Sequence, residues 1–335
     1  MPDHTPHTAA VEMSYAKAIN SALARALRDM PETLLFGEDV AKPGGVFGVT
    51  KDLQKAYGAS RVFDTPISET AMLGTAVGAA MCGLRPIVEI MWIDFSLVAM
   101  DQIVNQAANV RYVSAGQLQA PMTIRTQQGA LPGSCAQHSQ NLEAMFAHVP
   151  GLRVGLPATP QDAHDMLLTG IACDDPALII ENRGLYHTLS GPVELERPIA
   201  QRFEAHVARE GTDLTIVTWG SMLHRAQAAA EALQAQHGLS AEVINARWVA
   251  PFDWDTLCRS VQKTGRLLVV HEATLTGGFG AEIAARVHAD CAASLRKPVA
   301  RLATPDVRMP AAPHLQNALI PNPESITAAA LALAG

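Results

Sequence analysis

Runs of basic residues, clustered cysteines and long uncharged apolar stretches are all missing from this chain. Lys and Arg number 25 against 32 Asp and Glu, giving a formal net charge of −7 and a pI near 5.9. The phosphate contacts that drive sequence-independent nucleic-acid binding lack a source, so nucleic acid is not an expected partner. The cysteines, Cys82, Cys135, Cys173, Cys258 and Cys291, are far apart, odd in number and free of any CxxC pair. Reduced thiols in a cytoplasmic protein are the simpler reading. The most apolar stretch, Thr70 to Met100, is interrupted by Arg85, Glu89 and Asp94, which leaves no uncharged run of the roughly 18 residues a membrane helix needs. Met1 to Val11 carries His4, Pro6 and His7 but neither arginine nor an apolar core, so residues 1–12 read as a disordered, uncleaved tail. Whole enzyme classes drop out as well, because the chain has no P-loop, no HExxH, no GxSxG and no cysteine ladder for zinc.

What is present is enough apolar material for two cores: 48% of the 335 residues are hydrophobic and 17% charged. Ser14 precedes a helical pattern (Ile19, Ala22, Leu23, Ala26, Leu27) that Pro31 should stop. Strands are expected at Thr33 to Phe36, Arg61 to Thr65, Pro86 to Met91, Pro121 to Thr126, Leu152 to Leu156 and Ala177 to Ile180. Helices are expected at Glu69 to Gly83 and Ser96 to Val113, with a further one opened by Thr159-Pro160. Gly74 and Gly78 would let a second helix approach the Glu69 to Gly83 helix closely. The stretch Gly184 to Pro198 has two prolines and no clear period, and reads as a linker. Beyond it strand and helix alternate: Leu214 to Trp219, Met222 to Gln236, Glu242 to Asn245, Trp254 to Val261, Arg266 to Val270 and Ala281 to Ala289. Such alternation implies α/β architecture with two doubly wound domains, over 13–185 and 201–335, joined by a linker at 186–200.

Four short stretches carry chemistry. Gly277-Gly-Phe-Gly280 before a helix resembles half of a dinucleotide loop, but the third glycine and the ribose-binding acid are absent, so a tight turn explains it better than a nicotinamide site. In Asp64-Thr-Pro-Ile-Ser-Glu69 a carboxylate stands at a strand-to-helix junction, either as a helix cap or as a ligand group. His138, in Ala136-Gln-His138-Ser-Gln140, is flanked by small and amide residues, compatible with a structural or a reactive role. Glu38 and Asp39 follow a strand directly, where α/β folds place ligand groups and where solvated turn carboxylates also occur.

Taken in order, GEDV at Gly37 to Val40, DTPISE at Asp64 to Glu69, GLRPIVE at Gly83 to Glu89 and AQHSQ at Ala136 to Gln140 resemble the β subunits of 2-oxo acid dehydrogenases. FAHVPGL at Phe146 to Leu152 and KTGRLLVVHEATLTGGF at Lys263 to Phe279 extend the likeness from about Ser14 to the C-terminus. The resemblance implies a transketolase-like chain: an N-terminal pyrimidine-binding domain and a C-terminal domain with a mostly parallel sheet. It implies thiamine diphosphate shared with an α subunit that holds the diphosphate and Mg²⁺. This chain has no GDG motif and is expected to supply no magnesium ligands. An α₂β₂ assembly serving a lipoyl acyltransferase core follows, with no membrane partner.

By the same resemblance, Glu69 matches the glutamate that bonds the cofactor's pyrimidine ring, Phe95 an aromatic beside that ring and Ile67 a backbone position near it. Glu38 matches an acid at the active-site interface, in contact with the cofactor and in a proton relay. His138 matches the histidine at the mouth of the site, placed for proton transfer during acyl transfer to the lipoyl arm. A structural potassium ion held mostly by carbonyls would involve Met122, Gly170, Ile171, Cys173 and Asp175, with Cys173 standing where the pattern has an acid. The implied reaction is oxidative decarboxylation of pyruvate or a branched-chain 2-oxo acid. Acetoin cleavage is the alternative, favoured by GGVFGVTKDL at Gly44 to Leu53 and by Thr159-Pro160, whereas HEATLTGGF resembles the branched-chain enzymes. Val98, where pyruvate-type chains often carry glutamine, argues against strict pyruvate specificity. A non-catalytic assembly scaffold and an independent nicotinamide oxidoreductase are the other classes. Intact Glu69 and His138 argue against the first, and the incomplete glycine loop against the second.

Overall fold

Ser14 sets the first helix: its hydroxyl accepts the Lys17 backbone N–H at 3.3 Å, an N-cap that opens α1 (Tyr15–Asp29) behind the short strand β1 (Val11–Ser14). Ile19, Ala22, Leu23, Ala26 and Leu27 recur at helical spacing and are buried, each large side chain contributing about 1.5–3 kcal/mol of transfer free energy. The computed structural model describes residues 9–335, which divide into two units. The first runs up to Gln127 and includes Pro150–Leu152 and Thr159–Arg202; the second comprises Gln128–Val149, Arg153–Ala158 and Phe203–Gly335.

After α1 the first unit continues through β2 (Thr33–Gly37), α2 (Leu53–Tyr57), β3 (Val62–Asp64), α3 (Glu69–Met81), β4 (Arg85–Ile90), α4 (Val110–Val113) and β5 (Thr123–Gln128). Next in the chain, α5 (Glu143–Ala147) and β6 (Arg153–Gly155) belong to the second unit. The first unit then closes with α6 (Pro160–Ala172), β7 (Ala177–Asn182) and β8 (Ser190–Val193). Its sheet strands lie in the order β7-β5-β4-β2-β3, with β2, β3, β4 and β5 pairing in parallel. The chain steps from β2 to β3 on one side and then to β4 on the other, so the switch point lies at the carboxyl end of β2. Thr159 caps α6 in a reciprocal capping box with Asp162, and Pro160 opens its first turn.

Three expectations need correction. The continuous helix over Ser96 to Val113 is a 3₁₀ segment at Ile93–Ala99, a π segment at Asp101–Ala107 and the single turn α4. Side chains compete for the backbone there: Ser96 Oγ donates to Ile93 O at 2.5 Å, and Asn109 Nδ2 donates to the Val104 carbonyl at 3.2 Å. The linker over 186–200 contains β8, which pairs antiparallel with β1, so this segment belongs to the first unit up to Arg202. Of the expected tail over 1–12, residues 1–8 lie outside the described residues, whereas Val11 and Glu12 are already in β1.

In the second unit β9 (His206–Arg209), β10 (Leu214–Thr218), α7 (Met222–His237), β11 (Ala241–Asn245), β12 (Trp248–Ala250), α8 (Trp254–Thr264), β13 (Leu267–Thr274), α9 (Gly280–Cys291), β14 (Ala300–Thr304), α10 (Pro313–Leu319) and α11 (Pro323–Ala334) follow in turn. The sheet order is β14-β13-β10-β11-β9, parallel except where β9 meets β11. β12 pairs antiparallel with β6. Leu214, Ile216, Val243, Leu268 and Val270 form a core with Leu223 and Leu233 of α7 and Ile326 and Leu333 of α11. No helix among the described residues is long and apolar enough to cross a membrane.

Candidate active site

Strand register in the first unit brings three of the four motifs to one place. Gly37 stands opposite Asp64 on one side and Glu89 on the other, so GEDV, DTPISE and GLRPIVE meet at the carboxyl ends of β2, β3 and β4. Only glycine fits at 37, because a Cβ there would lie 2.8 Å from the Glu89 carbonyl oxygen. Asp64 ties the turn down, its Oδ1 accepting the Ala41 N–H at 2.8 Å while the Thr65 N–H donates to Gly37 O at 3.0 Å. Glu69 opens α3 and is 8% exposed, a carboxylate in the first helical turn where the helix dipole favours negative charge by about 0.3–1 kcal/mol.

Glu38 is partly buried beside these groups. Burial raises its carboxyl above the ordinary range, and the charges of Glu69, Asp39 and Glu89 push the same way. A carboxyl so placed holds its proton at a pH where an exposed glutamate has lost it. Phe95 lies half-buried on the 3₁₀ segment that packs against α3, where Thr70 Oγ1 donates to Val98 O at 2.8 Å. Ile67 is 80% exposed and Val98 63%, so apolar surface stands open beside the Glu69 end of α3. The acid, the aromatic and the exposed backbone position thus belong to one unit, and His138 belongs to the other, on the loop after the 3₁₀ turn Cys135–Gln137.

Beneath the carboxylates lies a buried ion network that the motifs do not announce. Arg125 binds Glu89 through Nη1 at 2.7 Å and Glu181 bidentately through Nε and Nη2 at 2.8 Å each. Tyr186 donates to Glu181, and Tyr15 stacks on Tyr186. Burial pushes the Glu89 carboxyl up while the Arg125 charge pulls it down. The available sequence signal is a carboxylate inside two apolar runs, at Glu89 in Pro86–Ile90 and at Glu181 in Ala177–Glu181, whereas Arg125 stands in the largely polar strand Thr123–Gln128. A second cluster stacks Arg183 over Phe47 at 3.9 Å and over Trp92 at 4.9 Å, anchoring the Gly44 to Leu53 stretch.

The potassium set fits an ion poorly. Arg85 Nη1 donates to the carbonyls of both Ile171 and Cys173 at 3.0 Å, and Asp175 pairs with Arg111 at 2.8 Å. Met122 O accepts the Ala177 N–H at 3.0 Å, and Gly170 O accepts the Cys173 N–H at 3.2 Å. Cationic side chains of the protein already face the Ile171 and Cys173 carbonyls and Asp175, and backbone N–H groups face the other two oxygens. Among the described residues no group of three His, Cys, Asp or Glu side chains is arranged to hold a metal.

Comparison with known proteins decides the family. Residues 11–188 match the transketolase pyrimidine binding domain and residues 204–326 the transketolase C-terminal domain. The chain belongs to the transketolase-like β subunits of 2-oxo acid dehydrogenases. This β subunit is 38% identical over 323 residues to 2-oxoisovalerate dehydrogenase subunit beta of Bacillus subtilis, covering 96% of this chain and 98% of that one. It is 41% identical over 330 residues to the beta subunit of acetoin:2,6-dichlorophenolindophenol oxidoreductase of Cupriavidus necator, covering 95% and 96%. It is 40% identical over 299 residues to the pyruvate dehydrogenase E1 component subunit beta of Bacillus subtilis, covering 89% and 92%. A solved split-gene transketolase, described as an inactive beta4 tetramer, shares the fold with a TM-score of 0.78 at 23% identity, covering 96% of this chain and 98% of that one. Membership makes the β subunit part of a thiamine-diphosphate-dependent enzyme.

Proposed function

We propose that this β subunit joins an α subunit in an α₂β₂ decarboxylase component and that Glu69 activates thiamine diphosphate held between the two chains. The observation that carries the reading is Glu69 itself, 8% exposed at the head of α3, with Phe95 on the adjoining turn and Glu38 beside it. The donor set suits an aminopyrimidine: a carboxylate to accept a ring N–H, an aromatic face and open apolar backbone. When bound, the cofactor supplies a carbanion that attacks the substrate carbonyl and an electron sink for bond cleavage. Glu69 holds the pyrimidine proton, Phe95 orients the ring, and Glu38 stores a proton within electrostatic reach of Glu69. The α chain supplies the Mg²⁺ and the diphosphate site.

The reaction is oxidative decarboxylation of a branched-chain 2-oxo acid or pyruvate, with the acyl group passed to a lipoyl domain of an acyltransferase core. His138 manages the proton at that second step. Acetoin cleavage is the second reading, supported by the 41% identity to the Cupriavidus necator chain. Co-expression with the α subunit and assay against branched 2-oxo acids, pyruvate and acetoin separates them. In that tetramer Glu69→Gln should lower turnover by at least about a thousandfold, the loss of a group that acts on every cycle. Turnover within a few-fold of wild type, in an intact tetramer, overturns the assignment.

A further inference from the structure

The HEATLTGGF stretch was given no role in the reading of Glu69 above, yet its side chains are closely packed and bonded. His271 is fully buried within β13, its Nδ1 bonded to Ala273 O at 3.1 Å and its ring stacked on Trp219 at 5.5 Å with 9° between the planes. Glycine is required above it, because a Cβ at Gly280 would stand 2.6 Å from His271 Nε2. The next residue, Glu272, points its carboxylate at the loop that carries His138. Oε1 accepts the Ala130 backbone N–H at 2.9 Å, and Oε2 accepts the Ser221 hydroxyl at 2.9 Å.

Other side chains of the second unit seize the same loop. Gln316, 3% exposed on α10, donates from Nε2 to Leu131 O and to Pro310 O, each at 2.8 Å. The Gly133 N–H donates to Ala311 O at 3.0 Å, and Arg308 reaches Gln140 Oε1 at 3.3 Å. At the loop's ends Glu143 accepts from Trp219 Nε1 at 3.1 Å and from Gln128 Nε2 at 3.4 Å. The loop is therefore held by hydrogen bonds from side chains and backbone of the second unit, and the Ala130 N–H bond to the Glu272 carboxylate is stronger than a neutral pair.

We propose that Glu272 and Gln316 are positioning residues for His138, fixing the Gln128–Glu143 loop so that the imidazole stands where the acyl group leaves for the lipoyl arm. The inference rests on the role given to His138 above. Neither residue touches the reacting atoms; each acts through the loop backbone. Small displacements of a proton-transfer group cost rate steeply, so loss of one anchor should be felt at that step and little at the first.

The test uses the α-β tetramer with the substrate that proves active. Decarboxylation is followed with an artificial electron acceptor, and acyl transfer by acylation of a lipoyl domain. Glu272→Gln is expected to slow acyl transfer about tenfold and decarboxylation less than about twofold, with Glu272→Asp recovering part of the loss. In a His138→Ala background the same substitution should change acyl transfer less than about twofold, since the two residues act as a unit. Gln316→Met, which cuts a separate anchor, is expected to repeat the pattern and is measured in parallel in case Glu272→Gln does not fold. Additive losses in the double variant, or an equal fall in both half-reactions, overturn the clamp. Unchanged acyl transfer in His138→Ala alone overturns the reading of His138 instead.

Discussion

The two units carry their functional side chains by different means. In the first, Glu38 directly follows β2 and Glu69 opens α3 beyond the end of β3, and their place follows from register: Gly37 against Asp64 and Glu89, with a buried Arg125 network beneath. In the second, His138 rides a loop that owes its position to Glu272, Gln316, Glu143 and Arg308. A group set by register is protected by the whole sheet. A group set by clamps can be loosened one bond at a time, which would suit the role proposed for His138.

The largest expected effect falls on the first unit. Arg125→Met leaves Glu89 and Glu181 buried without their cation, and should cost about 3–5 kcal/mol, read as a shift in the denaturant midpoint. A change below about 1 kcal/mol would show that the network does not support the strand ends. On the second unit acid should act through His271, whose burial lowers its pKa from 6.5 to about 4. The fold prefers the neutral ring, so its contribution is intact above pH 6.5, declines as pH falls towards about 4 and reaches about 3 kcal/mol lost below that. His271→Gln should remove that part of the acid loss in a pH series of melting curves. An unchanged slope would dissociate His271 from the acid response. The smallest effect tests register itself. Gly37→Ala, pressing a Cβ to 2.8 Å from Glu89 O, should cost about 1–3 kcal/mol and lower activity without touching acyl partition. A shift in acyl partition would blur the distinction between the two units.

Local features were the ones legible in the sequence. Ser14 and Thr159 announce their helices because the cap bonds span three residues, and the strand-helix alternation after Leu214 foretells β10, β11 and β13 of the second sheet but not its outer strands β9 and β14. DTPISE and GEDV point to one site because parallel strands deliver their ends together. Nonlocal pairings were not legible. β8 hid inside an apparent linker because its partner β1 lies at the other end of the unit. Arg125 gives no hint of Glu181, 56 residues on, or of Glu89, 36 residues back. The long helix expected from Ser96 fails through hydroxyl and amide side chains that compete for carbonyls, a contest that periodicity does not weigh. The glycines of HEATLTGGF were legible as a turn, but the imidazole they cover was not.

The anchoring of the His138 loop also sets an order of events during synthesis. Ala130 and Leu131 leave the ribosome long before Glu272 and Gln316, the side chains that bind them. At about 5–20 residues per second, that interval is on the order of ten seconds or more. The strands that lead into Glu38 and Glu69 meet their neighbours early in translation, and the loop bearing His138 waits for a helix close to the chain's end. A nascent chain interrupted before α10 has Glu38 and Glu69 in place, while the loop of His138 still lacks its Gln316 anchor.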